Sequence, residues 1–314
     1  MNELRAAVVG AGYLGRFHAQ KYAAAPACRL VAVVDSQLEV AQRVAAELGC
    51  EALADVAALA GRIDVASVVT TTPAHHAVAS ALLEQGVHVL VEKPITVTVA
   101  EAQALIDLAA RRRRVLQVGH LERFNPAIVA AEPLLAAPRF IECQRLAPFR
   151  QRGTDVNVVL DLMIHDIDIV QSIVHSDIES LDAAGTPVFS PQIDIANARI
   201  RFANGCVANV TASRVSMKTE RKLRVFTHDA YVSIDLQQKV LTSIRKRAGV
   251  VAEQELPVTI NEESFAQGDA LAEEIAAFLA ACRGEREVAV TGRDGLRALE
   301  TAVNITAKLG GTAA

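Results

Sequence analysis

The sequence predicts an α/β protein in two parts, a doubly wound parallel sheet followed by an α/β region on a mostly antiparallel sheet. Three observations predict it. The apolar run Ala6–Val9 leads directly into Gly10-Ala11-Gly12-Tyr13-Leu14-Gly15, and a second apolar run closes on Asp35. Strand-like and helix-like segments then alternate as far as Val118, the pattern of parallel βα units. From Phe140 onward, strand-like segments follow one another without helices between them, as in an antiparallel sheet. At 314 residues the chain exceeds the size at which a single core divides. Two domains of about 100–200 residues each are expected, and the change of pattern puts them at 1–122 and 123–314.

Taken in order, Ala6–Val9 reads as a strand, and the glycine turn after it opens a helical stretch. Arg29–Asp35 is a strand, Leu38–Leu48 a helix, Val65–Thr70 a strand and His75–Gln85 a helix. Val87–Val91, the helix Val99–Arg111 and Val115–Val118 complete the open sheet. The basic run Arg111 to Arg114 falls at a helix end, where cations complement the helix dipole and stay in water. A nucleic-acid or acidic-partner patch would have the same sequence, but the helix end is the reading taken, and a net charge of -4 exerts no general pull on nucleic acid.

In the second region Phe140–Arg145, Ile193–Phe202, Cys206–Ser213, Leu223–Thr227 and Tyr231–Asp235 are strand-like, with Asn204-Gly205 as a hairpin turn. Helices are expected near Val158–Ile173, Asp269–Ala281 and Asp294–Lys308. No repeat or low-complexity segment is visible, and the abundant alanine is helix composition rather than linker composition.

The glycine turn carries the first functional inference. A tight turn, close backbone approach to a pyrophosphate and close helix–strand packing each require a residue without Cβ, here Gly10, Gly12 and Gly15. The helix that follows aims backbone N–H groups at phosphate. Asp35, at the end of the second strand, suits the adenosine ribose hydroxyls and repels a 2'-phosphate, so NAD is expected rather than NADP. Ser36, Gln37 and Leu38 follow it and supply no arginine for such a phosphate.

Half of the residues, 51%, are hydrophobic. No apolar run approaches the ~20 residues of a membrane span, and no secretory pattern is present. A cytoplasmic protein with no membrane association is expected. Cys28, Cys50, Cys143, Cys206 and Cys282 are scattered without zinc or disulfide spacing and read as reduced thiols.

Three further segments can carry chemistry. Glu92-Lys93-Pro94 follows the strand Val87–Val91, and ligands of open α/β sheets collect at strand carboxyl ends. A lysine there, sheltered from bulk water, can take the proton of an alcohol whose hydride leaves for nicotinamide; a surface lysine beside a proline turn has the same sequence. In the helix Val158–Ile173, Asp161, His165 and Asp168 stand at i, i+4 and i+7, on one face. His165 can hydrogen-bond or titrate a reacting hydroxyl while Asp161 supports its charge, or the stripe is a satisfied core network. No further ligands are identifiable, so no metal is expected. Gly119-His120-Leu121-Glu122-Arg123-Phe124-Asn125-Pro126 sits at another strand end, where Arg123 and Asn125 suit substrate or nicotinamide ribose; an interdomain hinge reads the same way.

Together these motifs resemble the glucose-fructose oxidoreductase and inositol dehydrogenase family over nearly the whole chain. The resemblance implies a Rossmann domain joined to an α/β domain with a large, mostly antiparallel open sheet. It implies that Lys93 and His165 transfer the proton, that Asp161 supports them, and that Glu92, Thr71, Thr72, Pro73 and His76 border the NAD pocket. Met163 and Leu121 depart from the family pattern, standing where many relatives have Gly and Asn. Arg123-Phe124-Asn125-Pro126, Arg152-Gly153-Thr154-Asp155 and Asp161–Asp168 resemble the bacterial sugar-nucleotide branch. That branch implies oxidation of the C3 hydroxyl of UDP-N-acetylglucosamine to the 3-keto sugar, with a partner aminotransferase acting next for lipid A or surface glycans. It also implies a homodimer or homotetramer.

Arg150 and Arg152, in the loop Arg145 to Asn157, suit the diphosphate of such a substrate or serve the domain junction. A free-sugar or inositol dehydrogenase would not need them. A non-catalytic NAD-binding regulator would have no use for Lys93, Asp161 and His165.

Overall fold

The computed structural model describes residues 3–150, 156–247, 257–265 and 267–310. The N-terminal unit runs through β1 (Leu4–Val9), α1 (Tyr13–Ala24), β2 (Cys28–Val34), α2 (Leu38–Leu48) and β3 (Glu51–Leu53). It continues through β4 (Val65–Val68), α3 (Thr72–Glu84), β5 (His88–Glu92), α4 (Val99–Arg112) and β6 (Leu116–Gly119). The strands form one parallel sheet in the order β3-β2-β1-β4-β5-β6. Successive connections move outward in one direction from β1 and then, after β3, in the other. The switch point therefore lies between β1 and β4, and their carboxyl ends open the crevice where ligands of such sheets bind. Val65, Ala66, Ser67 and Val68 are all buried, as expected of a strand covered by helices on both faces.

Helix ends follow local chemistry. Thr98 and Glu101 form a reciprocal capping box that starts α4, and Arg113 closes it in the left-handed conformation at φ 54°. Arg112 pairs with Glu84, so the basic run ends a helix and is partly spent on an ion pair.

The second unit comprises Glu122–Gly268 and the chain from Glu300 onward. It begins with α5 (Pro126–Ala131) and β7 (Phe140–Leu146), then a π-helical turn at Val159–Met163 that passes into α6 (Ile164–Val174). β8 (Ile178–Thr186), β9 (Ile195–Phe202), β10 (Val207–Ser213), β11 (Glu220–Phe226), β12 (Ala230–Asp235), β13 (Val240–Lys246) and β14 (Val258–Ser264) follow. The sheet order is β14-β13-β12-β11-β7-β10-β9-β8, antiparallel throughout except where β7 runs parallel to β10. Asn204-Gly205 makes the hairpin between β9 and β10, with Gly205 at φ +84° and its N–H donated to Phe202 O at 2.9 Å. The strands β7, β9 and β10 alternate in burial, so their inward residues, among them Ile141, Cys143, Ala198, Ile200, Ala208 and Val210, form the core of this unit.

Two helices complete the chain, α7 (Ala270–Cys282) and α8 (Gly292–Gly310). Asp269–Leu299 belongs to the first compact unit, whereas the sequence assigns everything from 123 onward to one region. The physical reason is the apolar face of α7. Leu271, Ile275, Phe278 and Leu279 are buried in one cluster with Ala6, Val8, Ala19, Tyr22, Leu30 and Val33.

All five cysteines are free thiols, Cys143 and Cys206 buried and the others half-buried. Burial pushes the Cys28 and Cys206 thiols up to about 11, away from thiolate chemistry. No helix among the described residues is long and apolar enough to cross a membrane.

Candidate active site

The glycine turn occupies the end of β1. Gly10 has φ +97°, and a Cβ there would stand 2.5 Å from the Val69 carbonyl oxygen. At Gly15 a Cβ would stand 1.8 Å from Gly10 O, so helix and turn touch backbone to backbone. Gly12 differs, because nothing lies within 4 Å of where its Cβ would be. No side chain caps α1 and no acid lies in its first turn. Tyr13, 71% exposed, and half-buried Leu14 begin the helix. Asp35 Oδ2 accepts the Ala11 N–H at 2.8 Å and Oδ1 accepts the Gln37 N–H at 2.9 Å. The carboxylate thus ties the ends of β1 and β2 together, with lone pairs left for hydroxyl donors.

The loop after β4 carries Thr71 as the residue before α3, with Thr72 and Pro73 in its first turn. His76 is half-buried. Its neighbour His75, which sequence reading did not single out, is buried with Nδ1 2.9 Å from Pro94 O and Nε2 3.1 Å from Thr70 O. Both partners are acceptors, so a neutral ring donates to one of them at a time. His75 thereby ties the loop after β4 to the turn after β5.

That turn holds Glu92-Lys93-Pro94, and the Lys93–Pro94 peptide is cis. Glu92 is buried, with Oε1 3.1 Å from His18 Nε2 and Oε2 accepting the Lys93 N–H at 3.2 Å. His18 Nδ1 lies 3.1 Å from Ser67 Oγ, and the Tyr22 hydroxyl lies 2.9 Å from the same oxygen. Burial pushes the Glu92 carboxyl up, but His18 and the Lys93 charge more than offset it and hold the group below its ordinary value. The carboxylate also lies flat against β6, where a Cβ on Gly119 would come within 2.7 Å of Oε1. Lys93 itself is half-buried at the strand end. His18 shares α1 with Arg16, Gln20 and Lys21, so nothing local marks it out, and its partner Glu92 lies on β5.

In the second unit, Asn157 Oδ1 accepts the N–H groups of Val159 and Leu160 and starts the π turn that contains Asp161. Such turns are uncommon and concentrate at functional sites. Asp161 and His165 are half-buried, whereas Asp168 is buried and takes Arg123 in a two-point ion pair, Nε–Oδ2 2.7 Å and Nη2–Oδ1 2.8 Å. The predicted polar stripe therefore divides. Its last member is a core ion pair, and Arg123, expected at substrate, presents its fork to that acid. Asn125 is engaged likewise: Oδ1 accepts the Ala127 N–H at 3.1 Å and Nδ2 donates to Leu236 O at 2.9 Å.

Asp166, between His165 and Asp168, anchors a second buried network. Arg145 donates to both its oxygens at 2.8 and 2.9 Å and to Glu122 Oε1 at 3.0 Å. Burial opposes charge on Arg145, yet Asp166 and Glu122 hold it above the usual guanidinium range. Burial pushes the Asp166 carboxyl up against the pull of Arg145. Arg150 is exposed after β7, and Arg152 lies outside the described residues.

Comparison with known proteins covers both units. Residues 4–120 match the oxidoreductase family described as having an NAD-binding Rossmann fold, and residues 148–310 match its C-terminal alpha/beta domain. UDP-N-acetylglucosamine 3-dehydrogenase of Acidithiobacillus ferrooxidans is 41% identical over 307 residues, 97% of each chain. A solved structure of that enzyme matches 99% of both chains with a TM-score of 0.93. The scyllo-inositol 2-dehydrogenase (NAD(+)) of Bacillus subtilis is 30% identical over 235 residues, 68% of each chain. The Lactobacillus casei scyllo-inositol dehydrogenase, solved with NAD(H) and scyllo-inositol, is alike in fold at 20% identity and TM-score 0.82.

Proposed function

The chain belongs to the Gfo/Idh/MocA oxidoreductase family with an NAD-binding Rossmann domain, and from that premise we propose that it oxidises the C3 hydroxyl of UDP-N-acetylglucosamine to the 3-keto sugar nucleotide. The observation that carries the substrate is the similarity to the Acidithiobacillus enzyme over 97% of each chain, which includes both units. The glycine turn fits the cofactor. Gly12 leaves open space where a side chain would stand, the uncapped end of α1 suits a pyrophosphate, and Asp35 has acceptor capacity for ribose hydroxyls. Tyr13, Leu14, Thr71, Thr72, Pro73, His76 and Glu92 border that pocket in this reading.

When bound, NAD supplies the hydride acceptor. The chain's own residues handle the proton. Lys93 Nζ takes the proton of the sugar hydroxyl as its C–H bond breaks, a task suited to an amine at a strand end with a fixed backbone. Glu92 fixes that backbone through its bond to the Lys93 N–H. His165, carried by the second unit, hydrogen-bonds the reacting hydroxyl, and Asp161 supports charge on the imidazole. Arg150 and Arg152 meet the diphosphate. Arg123 and Asn125 contribute through the ion pair and the helix start described above, which shape the loop after β6. In the cell the enzyme works in the cytoplasm as a homodimer or homotetramer, and its ketone product goes to an aminotransferase.

The test is NADH absorbance on mixing the protein with NAD and UDP-N-acetylglucosamine, with and without a 2-keto acid as oxidant, followed by mass spectrometry of the sugar nucleotide. Loss of two hydrogens from the sugar is expected. An unchanged sugar nucleotide beside turnover of free inositol would overturn the substrate. In the active enzyme, Lys93→Ala and His165→Ala should each lower kcat by roughly 100-fold or more while NAD affinity holds; a fully active Lys93→Ala enzyme would remove Lys93 from the mechanism.

A further inference from the structure

Behind Glu92 lies a carboxyl group that the reaction as described does not use. Glu274, on α7, is fully buried, and neither of its carboxyl oxygens has a hydrogen-bond partner. Its carboxyl, the Glu92 carboxyl and a ring nitrogen of His18 each place one atom within 4.8 Å of the others. All three residues belong to the first compact unit.

Two buried carboxylates this close cannot both stay charged without a neutralising partner. A cation or a proton can supply it, and the hydrogen-bond inventory separates the two. Both oxygens of Glu92 and both nitrogens of His18 already have partners, namely each other, the Lys93 N–H and Ser67 Oγ. A metal would have to break that set. Glu274 alone lacks donors, and an ionised carboxylate with none, away from water, neutralises by taking a proton. The surrounding groups agree. His18 and Tyr22 come from α1, Ser67 from β4, Glu92 and Lys93 from the end of β5 and Gln117 from β6, where Gln117 Nε2 donates to the Glu274 carbonyl at 3.3 Å. Lys21, another cation of α1, is taken by Asp269.

We propose that Glu274 is held as a neutral carboxylic acid that donates its hydrogen to Glu92, making it a positioning residue for the Glu92-Lys93-Pro94 turn. Burial, reinforced by the negative charge of Glu92, drives the Glu274 carboxyl well above the carboxylate range. The acid then completes the ring of donors around Glu92 that begins with His18 and the Lys93 N–H. A neutral acid kept for donation in an apolar site is an established use of a raised carboxyl pKa. The positioning half of this inference rests on the proton-transfer role of Lys93; the protonation of Glu274 does not.

The test therefore has a readout free of turnover. Infrared spectra of the full-length protein at neutral pH should contain the carbonyl band of a buried carboxylic acid, missing from Glu274→Gln and persisting into alkaline solution. Absence of that band, or a stoichiometric metal in the purified protein, overturns the proposal. For positioning, Glu274→Gln keeps an N–H donor and should retain kcat within about threefold, while Glu274→Leu should lose about tenfold in kcat with KM for NAD unchanged. Its pH profile should also shift on the limb that reports Lys93. A Glu274→Leu enzyme with the original kcat and profile overturns positioning. Should that variant not fold, Glu274→Gln decides alone, retained kcat supporting the role and a tenfold loss overturning it. If the sugar nucleotide is not the substrate, the infrared band still decides the state of Glu274.

Discussion

Gly119→Ala is the sharpest perturbation of the site that leaves every polar group in place. Gly119 pairs with Glu92 across β5 and β6, and an added methyl would stand 2.7 Å from Glu92 Oε1, 2.9 Å from Cδ and 3.1 Å from Oε2. The carboxylate is not free to swing aside, since His18 and the Lys93 N–H hold its two oxygens. Retreat costs one hydrogen bond to a charged group, about 1.5–3 kcal/mol; staying costs overpacking, about 1–3 kcal/mol. The molecule takes the cheaper of the two, so a loss of about 1–3 kcal/mol is expected. Denaturant titration reads the stability, and steady-state kinetics should show kcat reduced by about tenfold or more with NAD affinity altered far less. Shortening the acid should compensate. Glu92→Asp in the Gly119→Ala background should recover part of the stability, a coupling that a double-mutant cycle measures. A Gly119→Ala protein with the original denaturation midpoint and turnover would refute the claim that Glu92 is clamped.

Other outcomes follow from the same geometry. Gly12→Ala should fold with unchanged stability but bind NAD more weakly by calorimetry, whereas Gly15→Ala, with its Cβ 1.8 Å from Gly10 O, should fail to give a stable first unit. Arg145→Ala strands Asp166 and Glu122 without their shared cation, and a cost of about 3–5 kcal/mol in chemical denaturation is expected. Burial, with the Arg114 charge, lowers His88 from 6.5 to about 4, and its neutral Nδ1 accepts the Val115 N–H at 2.9 Å. The fold favours the neutral ring, so this stabilisation is complete above 6.5 and is lost as pH falls through about 4. Replacing His88 by Gln should flatten that part of the stability profile by about 1–3 kcal/mol; an unchanged profile would count against it.

What the sequence by itself determined is what short-range sterics and periodicity dictate. Gly15 packs on Gly10 O within the turn itself, although Gly10 is also closed in by Val69 O from after β4, and α2 runs over the predicted Leu38–Leu48 because its apolar spacing is local. Strands buried on alternate faces, such as β7 and β9, announced themselves by composition. β14 did not, because it lies at a sheet edge with nearly every residue exposed and so carries no burial pattern; β3, three residues long, is too short for one. The apolar face of α7 says that the helix must be covered but not by what, and only the tertiary structure returns it to the first core.

The same division runs through the site. Glu92-Lys93-Pro94 and the helix segment with Asp161 and His165 stand out as motifs, but Glu274 is one of two adjacent acids on a helix until folding buries it beside Glu92 and His18. Likewise the roles of Arg123, Asp166 and Asp168 turn on which charges meet in a dry interior, since a buried charge must find its partner wherever the chain brings one. Local covalent geometry decides a turn; the state of a buried acid depends on residues far away in the chain, and no window of sequence contains them both.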